Sequence, residues 1–138
     1  MAFSDAQANC QIIFGKDPLF IQLGGTVTKG DAVGKSSGEW VRALATTANV
    51  VQMRCVAGED GVTGQFITAY FGVTIVGGDR FSGATVGGAI YVAEGTSNGK
   101  YTATAPSDTG DATTIVGYAL SAVELVLIPN YNPDTTKA

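Results

Sequence analysis

The stretch from Thr85 to Pro129 is interrupted by turn residues every few positions, and that spacing constrains the chain to short strands. Ala89, Ile90, Tyr91 and Val92 are apolar and β-prone. Ser97-Asn98-Gly99 then supplies a residue that tolerates positive φ, and Lys100 to Thr104 resumes the extended pattern, which predicts a hairpin. Pro106, Ser107, Asp108, Gly110 and Asp111 break that pattern, after which Ile115 to Leu120 and Leu125 to Ile128 form two more apolar runs. Four strands joined by turns are predicted, with nothing among them that resembles an active site.

Composition extends this reading to the whole chain. Its 138 residues suit one domain, long enough to bury roughly two thirds of the unfolded chain's surface without metal or disulfide. Nineteen glycines, 14% charged and 45% hydrophobic residues describe a turn-rich, weakly charged β-protein. The expected fold is all-β: a small Gly-rich barrel- or sandwich-like domain of short strands. Twelve carboxylates against eight Lys and Arg give a net charge of -4, with the basic residues scattered singly from Lys16 to Lys137, so nucleic acid is not an expected partner. No apolar run approaches the roughly 20 residues that span a bilayer, and no membrane partner is expected. Asp5, Gln7 and Asn9 interrupt any signal-peptide core, so production in the cytoplasm is expected, with Cys10 and Cys55 as reduced, buried thiols.

The first 24 residues differ in texture from the rest. Cys10 to Phe14 and Leu19 to Leu23 are apolar runs around a Gly15-Lys16-Asp17-Pro18 turn. They read either as the first hairpin of the domain or, for Met1 to about Phe14, as an arm that adds a strand to a neighbouring molecule. Residues 25–129 form the single β domain, and 130–138 a tail. Within the domain Thr28-Lys29-Gly30-Asp31-Ala32-Val33 parallels Thr85-Val86-Gly87-Gly88-Ala89-Ile90 at an offset of 57, and Ser37-Gly38-Glu39-Trp40 parallels Asn98-Gly99-Lys100-Tyr101 at an offset of 61. Met53 to Ala57 then corresponds to Val116 to Leu120. Two related β-units, 26–76 and 84–129, are expected. Val41, Leu44, Ala48 and Val51 fall at helical spacing, yet the equivalent place in the second copy holds Pro106 and Gly110, so this segment reads as strand, loop, strand. In the longest β-run, Gln65 to Val76, Gly72 marks a bulge or bend.

Motifs for chemistry are weak. Gly34-Lys35-Ser36 resembles the end of a phosphate-binding loop, but Lys29 stands where that motif needs its first glycine. Asp108, Asp111, Glu59 and Asp60 lack the alternating ligand spacing of a calcium loop. Without any histidine, neither cysteine has a general base to activate it. No enzyme activity, metal or cofactor is expected.

The Gly-Gly-Ala-Ile-Tyr step at Gly87–Tyr91, the Gly99-Lys100 hairpin, the Thr104-Ala105-Pro106 loop and Ile-Val-Gly-Tyr-Ala-Leu-Ser at Ile115–Ser121 resemble the closing β-module of head-decoration, or cement, proteins of tailed bacteriophages. The resemblance covers about a third of the chain closely. It implies a structural virion protein on the outside of the capsid shell, with the major capsid protein as partner, trimers at three-fold positions, and synthesis in the host cytoplasm. On that reading Phe3, Ile12, Ile13 and Phe14 of the arm are the candidates for capsid contact, and Trp40 and Tyr101 for capsid or subunit interfaces. The alternative is a surface-binding module, such as a head-fibre base or a carbohydrate-binding domain, in which Trp40 or Tyr101 at hairpin tips meets a ligand.

Overall fold

A computed structural model describes residues 10–95 and 98–138. Phe3 and the rest of Met1 to Asn9 lie outside the described residues, as do Thr96 and Ser97. The described chain is all-β, with eleven strands in two antiparallel sheets. In chain order they are β1 (Gln11–Gly15), β2 (Pro18–Gln22), β3 (Ala32–Ser36), β4 (Glu39–Arg42), β5 (Cys55–Ala57), β6 (Phe66–Tyr70), β7 (Thr74–Gly77), β8 (Ala89–Val92), β9 (Tyr101–Thr102), β10 (Ile115–Ser121) and β11 (Glu124–Leu127). One sheet has the order β1-β7-β11-β10-β8-β9, the other β2-β6-β5-β3-β4.

The two apolar runs at the start do not form a hairpin with each other. β1 pairs with β7 in one sheet and β2 with β6 in the other. Between them the ladder bends without breaking: the Lys16 amide donates to Val73 O at 3.0 Å, the Gly72 amide to Lys16 O at 3.0 Å and the Phe71 amide to Asp17 O at 3.2 Å. Asp17 adopts φ +56, which a short polar side chain tolerates, and a Cβ on Gly72 would lie 2.6 Å from the Asp17 carboxylate. Gly72 is therefore the corner at which the long Gln65 to Val76 run leaves one sheet for the other. The hairpin expectation failed because period-2 patterning says that a run is extended and does not say which strand it pairs with.

The internal echo is written in the strand order. β2-β6-β5-β3-β4 and β7-β11-β10-β8-β9 follow the same sequence of pairings, so the first unit is β2–β6 and the second is β7–β11, with β1 added to the second unit's edge. Register agrees residue by residue. Ala32 faces Val56 as Ala89 faces Tyr118, and Lys35 faces Trp40 as Val92 faces Tyr101. Leu19 faces Ala69 as Val76 faces Leu125. Two details differ from the sequence alignment. The counterpart of Val56 is Tyr118, one position off the expected match, and β7 opens the second unit instead of ending the first, which places the boundary at the Gly72 corner.

The first unit closes on itself. Leu23 bridges Trp40 in parallel and the Gly24 amide donates to Trp40 O at 2.8 Å, so the two edges of the five-stranded sheet meet in a small barrel. Its interior holds Ile21, Leu23, Val27, Val33, Cys55 and Ile67 among others. Ala32 and Val56, which alternate with Val33 and Cys55, point out of that barrel and join a larger core with Val76, Phe81, Ile90, Tyr101, Leu125 and Leu127 of the second unit. Residues 43–54 are loop and isolated bridge, Leu44 to Val51, around an Ala48 at φ +73, which bears out strand, loop, strand over helix. The tail is tied down by a bridge from Thr136 to Ala112.

Candidate interaction surfaces

The unit junction is built on a buried carboxylate. Asp31 sits in the turn before β3, where its Oδ2 accepts the Thr28 amide at 2.8 Å and the Nε of Arg42, on β4, at 2.7 Å. Its Oδ1 accepts Arg80 Nη2 from the 3-10 turn Asp79–Phe81 of the second unit. Arg80 Nη1 donates to Lys29 O at 2.6 Å, and the Tyr101 hydroxyl donates to Gly30 O at 2.7 Å. Burial is the largest influence on the Arg80 charge and opposes it, but Asp31, through its charge and hydrogen bond, together with Tyr101 and Cys10 holds the guanidinium above its ordinary range. Burial also pushes the Tyr101 hydroxyl well up and the Cys55 thiol up to about 12, while the nearby Arg80 only partly offsets the upward shift that burial gives Cys10. Both cysteines are free and buried.

The sequence candidates are scattered by the fold. Ile12, Ile13 and Phe14 belong to β1, paired within the domain, which corrects the reading that extended the arm as far as Phe14. Ile12 packs on the larger core, whereas Ile13 and Phe14 are each half exposed on an edge strand. Trp40 is partly buried, packed edge-on against Phe71 at 5.5 Å with Lys35 over its ring at 5.0 Å. Tyr101 is completely buried, so it is a core and junction residue and not an interface anchor. At a hairpin end its tip position suggested exposure, but the second unit's hairpin is pressed into the first unit.

The outward apolar face was missed from the sequence. Pro18, Phe20 and Gln22 share a side of β2, and Phe66, Thr68 and Tyr70 the same side of β6. Phe20 and Phe66 stand diagonally on it, 78% and 66% exposed. Alternation was the available signal, since Phe20 is out of phase with the buried Ile21.

Of the acidic residues, Asp108 and Asp111 do meet, with Glu94 as a third carboxylate within 4.8 Å. Asp111 spends both oxygens on backbone amides, those of Thr47 at 2.8 Å and Asp108 at 3.0 Å. Glu59 and Asp60 go elsewhere, to the Thr68 and Lys29 amides. These carboxylates hold loops together. Gly34, Lys35 and Ser36 lie on β3, with no helix following them.

Surface grooves flank the first unit. One, about 630 Å³, runs beside Arg42, Leu44, Asn49 and Asn98. Another, about 490 Å³, lies along the barrel seam at Leu23, Gly24, Gly38, Glu39 and Trp40. No helix among the described residues is long and apolar enough to cross a membrane. No protein-family model matches the chain, and no curated protein or solved structure shows significant similarity to it.

Proposed function

We propose that the protein is a structural virion component that binds the outer surface of a tailed-phage capsid shell, with the major capsid protein as its partner, and that it acts by binding and not by catalysis. The observation that carries this reading is the outward face of β2–β6, where Phe20 and Phe66 are exposed side by side. Single exposed apolar residues are ordinary, whereas two large aromatics on one sheet face are a contact surface in want of a partner. Ile13 and Phe14 add apolar area on the β1 edge. The resemblance over Thr85–Pro129 supplies the partner. Each bound copy then adds interface that must break before the shell opens. The carbohydrate-binding alternative called for Trp40 or Tyr101 exposed at a hairpin tip, whereas Tyr101 is fully buried and Trp40 is partly buried against Phe71.

The test is co-sedimentation with shells that lack the protein, using the wild type, a Phe20→Ser/Phe66→Ser variant and a chain without Met1 to Asn9. The truncation stops before Cys10 because Cys10 and β1 belong to the folded domain. Binding by the wild type that resists moderate salt and is lost in the double variant supports the proposal. A wild type that ignores shells would overturn it, and loss on truncation alone would move the contact to the arm.

A further inference from the structure

Within one chain the second unit's hairpin tip plugs the end of the first unit's β3–β4 ladder. Gly99, at φ +77, donates its amide to Ala43 O at 2.8 Å and accepts the Ala32 amide at 2.9 Å. Beside it, Arg80 and Tyr101 grip the turn Thr28–Asp31.

Both halves of this contact recur, unused, at the other ends of the repeat. The counterpart of Gly99 is Gly38, at φ +80, with nothing within 4 Å of where its Cβ would stand. The counterpart of Thr28–Asp31 is Thr85–Gly88. The two turns have the same geometry: Asp31 N to Thr28 O and Gly88 N to Thr85 O are both 2.9 Å, and Gly30 and Gly87 have φ +90 and +78. Thr85, Val86 and Gly87 are exposed, Val86 by 69%. Next to Gly38 lies the 490 Å³ groove at Leu23 and Trp40, the counterparts of Arg80 and Tyr101.

We propose that the Thr85–Gly88 turn of a second copy of this chain seats against the Gly38 tip and the Leu23–Trp40 groove, continuing between chains the contact that joins the units within one. The buried ion pair of the internal contact has no counterpart in the external one. In the internal contact Arg80 meets Asp31, and in the external one Leu23 stands for Arg80 and Gly88 for Asp31. Both members of the ion pair are replaced together, and Val86 takes the place of Lys29 beside a groove lined by Trp40, Thr63 and Glu39, with Leu23 buried beneath. The contact is heterologous, and such contacts build rings when the rotation closes. It is independent of the shell reading, because self-association is measured without shells.

The experiment is size-exclusion chromatography with light scattering on Val86→Asp and Gly38→Asp, each first checked for an unchanged urea midpoint. Gly38 tolerates Asp better than most residues because Asp visits the left-handed region. The wild type is expected to form an oligomer and each variant a monomer. An equimolar mixture of the two is expected to give a heterodimer and nothing larger, because only one intact half survives on each. A monomeric wild type, an oligomer that neither substitution disturbs, or a mixture without heterodimer would overturn the proposal. Should a variant fail to fold, amide exchange in the wild type decides: slowing with concentration at 37–40 and 85–88 supports the contact, and its absence there refutes it.

Discussion

Arg80 and Asp31 form an ion pair across the junction of the two units, with side chains 0% and 1% exposed. Its second oxygen is held by Arg42, which is 28% exposed and reaches solvent. Such a pair adds little net stability over apolar residues of the same size, but it forbids any other docking of the units that would strand a charge. Arg80 Nε has no partner, so the guanidinium depends on Asp31, Lys29 and the ring of Phe81, 5.5 Å away.

Replacing Asp31 by Asn leaves the Arg80 charge buried and is expected to cost about 3–5 kcal/mol. The Asp31→Asn/Arg80→Met double variant is expected to regain a large part of that loss, which denaturant midpoints in a double-mutant cycle will show. A double variant that costs as much as Asp31→Asn and Arg80→Met added together would mean that the pair is not coupled.

Tyr101→Phe removes one atom and leaves the buried Gly30 carbonyl without its donor. A loss of about 1–3 kcal/mol is expected in urea unfolding, with the fold retained, since the ring still packs near Phe81 at 6.1 Å. No change would show that water replaces the hydroxyl and that the junction is open to solvent.

Alkali should unfold the protein early. The Cys55 thiol at about 12 and the Tyr101 hydroxyl well above its usual 10 stay neutral in the fold while the unfolded chain ionises. Raised folded values mean that the contribution is complete below the unfolded values and is lost as pH rises from about 9 towards the folded ones. Each group costs up to about 1.4 kcal/mol per pH unit in that window. Thermal midpoints between pH 8 and 11 measure the slope, and Cys55→Ala should flatten its lower part. A flat profile in the wild type would contradict the burial of these groups.

Arg54 and Asp134 are the surface contrast, a two-bond pair at 2.9 and 2.6 Å with side chains 36% and 44% exposed. The hydrogen bonds from Arg54 lower the Asp134 carboxyl despite partial desolvation, so its contribution is present above the ordinary carboxylate value and fades as pH falls through the lowered one. Solvent screening keeps it small, and Asp134→Asn is expected to cost under about 1 kcal/mol. A larger loss in the urea midpoint would show that the tail bridge to Ala112 depends on this pair.

The sequence showed its strands and its repeat more readily than its contacts. Ala32 and Ala89, or Trp40 and Tyr101, align by eye because turn glycines, Gly30 and Gly87 for the first pair and Gly38 and Gly99 for the second, sit two positions before them. The same alignment hides their fates, since Trp40 lies at a seam and Tyr101 in the core. Burial there is decided by which unit leans on which, a long-range fact that no local pattern encodes. Arg80 was equally illegible, because a lone arginine in a Gly-rich turn looks solvated until Asp31, 49 positions away, is brought to it. Phe20 was readable in hindsight from its phase against Ile21. Ile12, Ile13 and Phe14 were read as a strand, either of a first hairpin or of an arm, and neither reading named β7 as its partner.

The bent ladder that carries β1 into β2 and β6 into β7 also sets the order of events when the chain folds. Gln11 meets Gly77 and Gln22 meets Phe66, partners 66 and 44 positions apart, so a large loop must close before either sheet has its edge. Hairpins such as β3–β4 and β10–β11 form locally and early, whereas this closure is slow and serves both sheets at once. A nascent chain that has not yet emitted Tyr70 holds β2 without a neighbour, and Ile21, buried in the finished barrel, waits uncovered until synthesis passes the Gly72 corner.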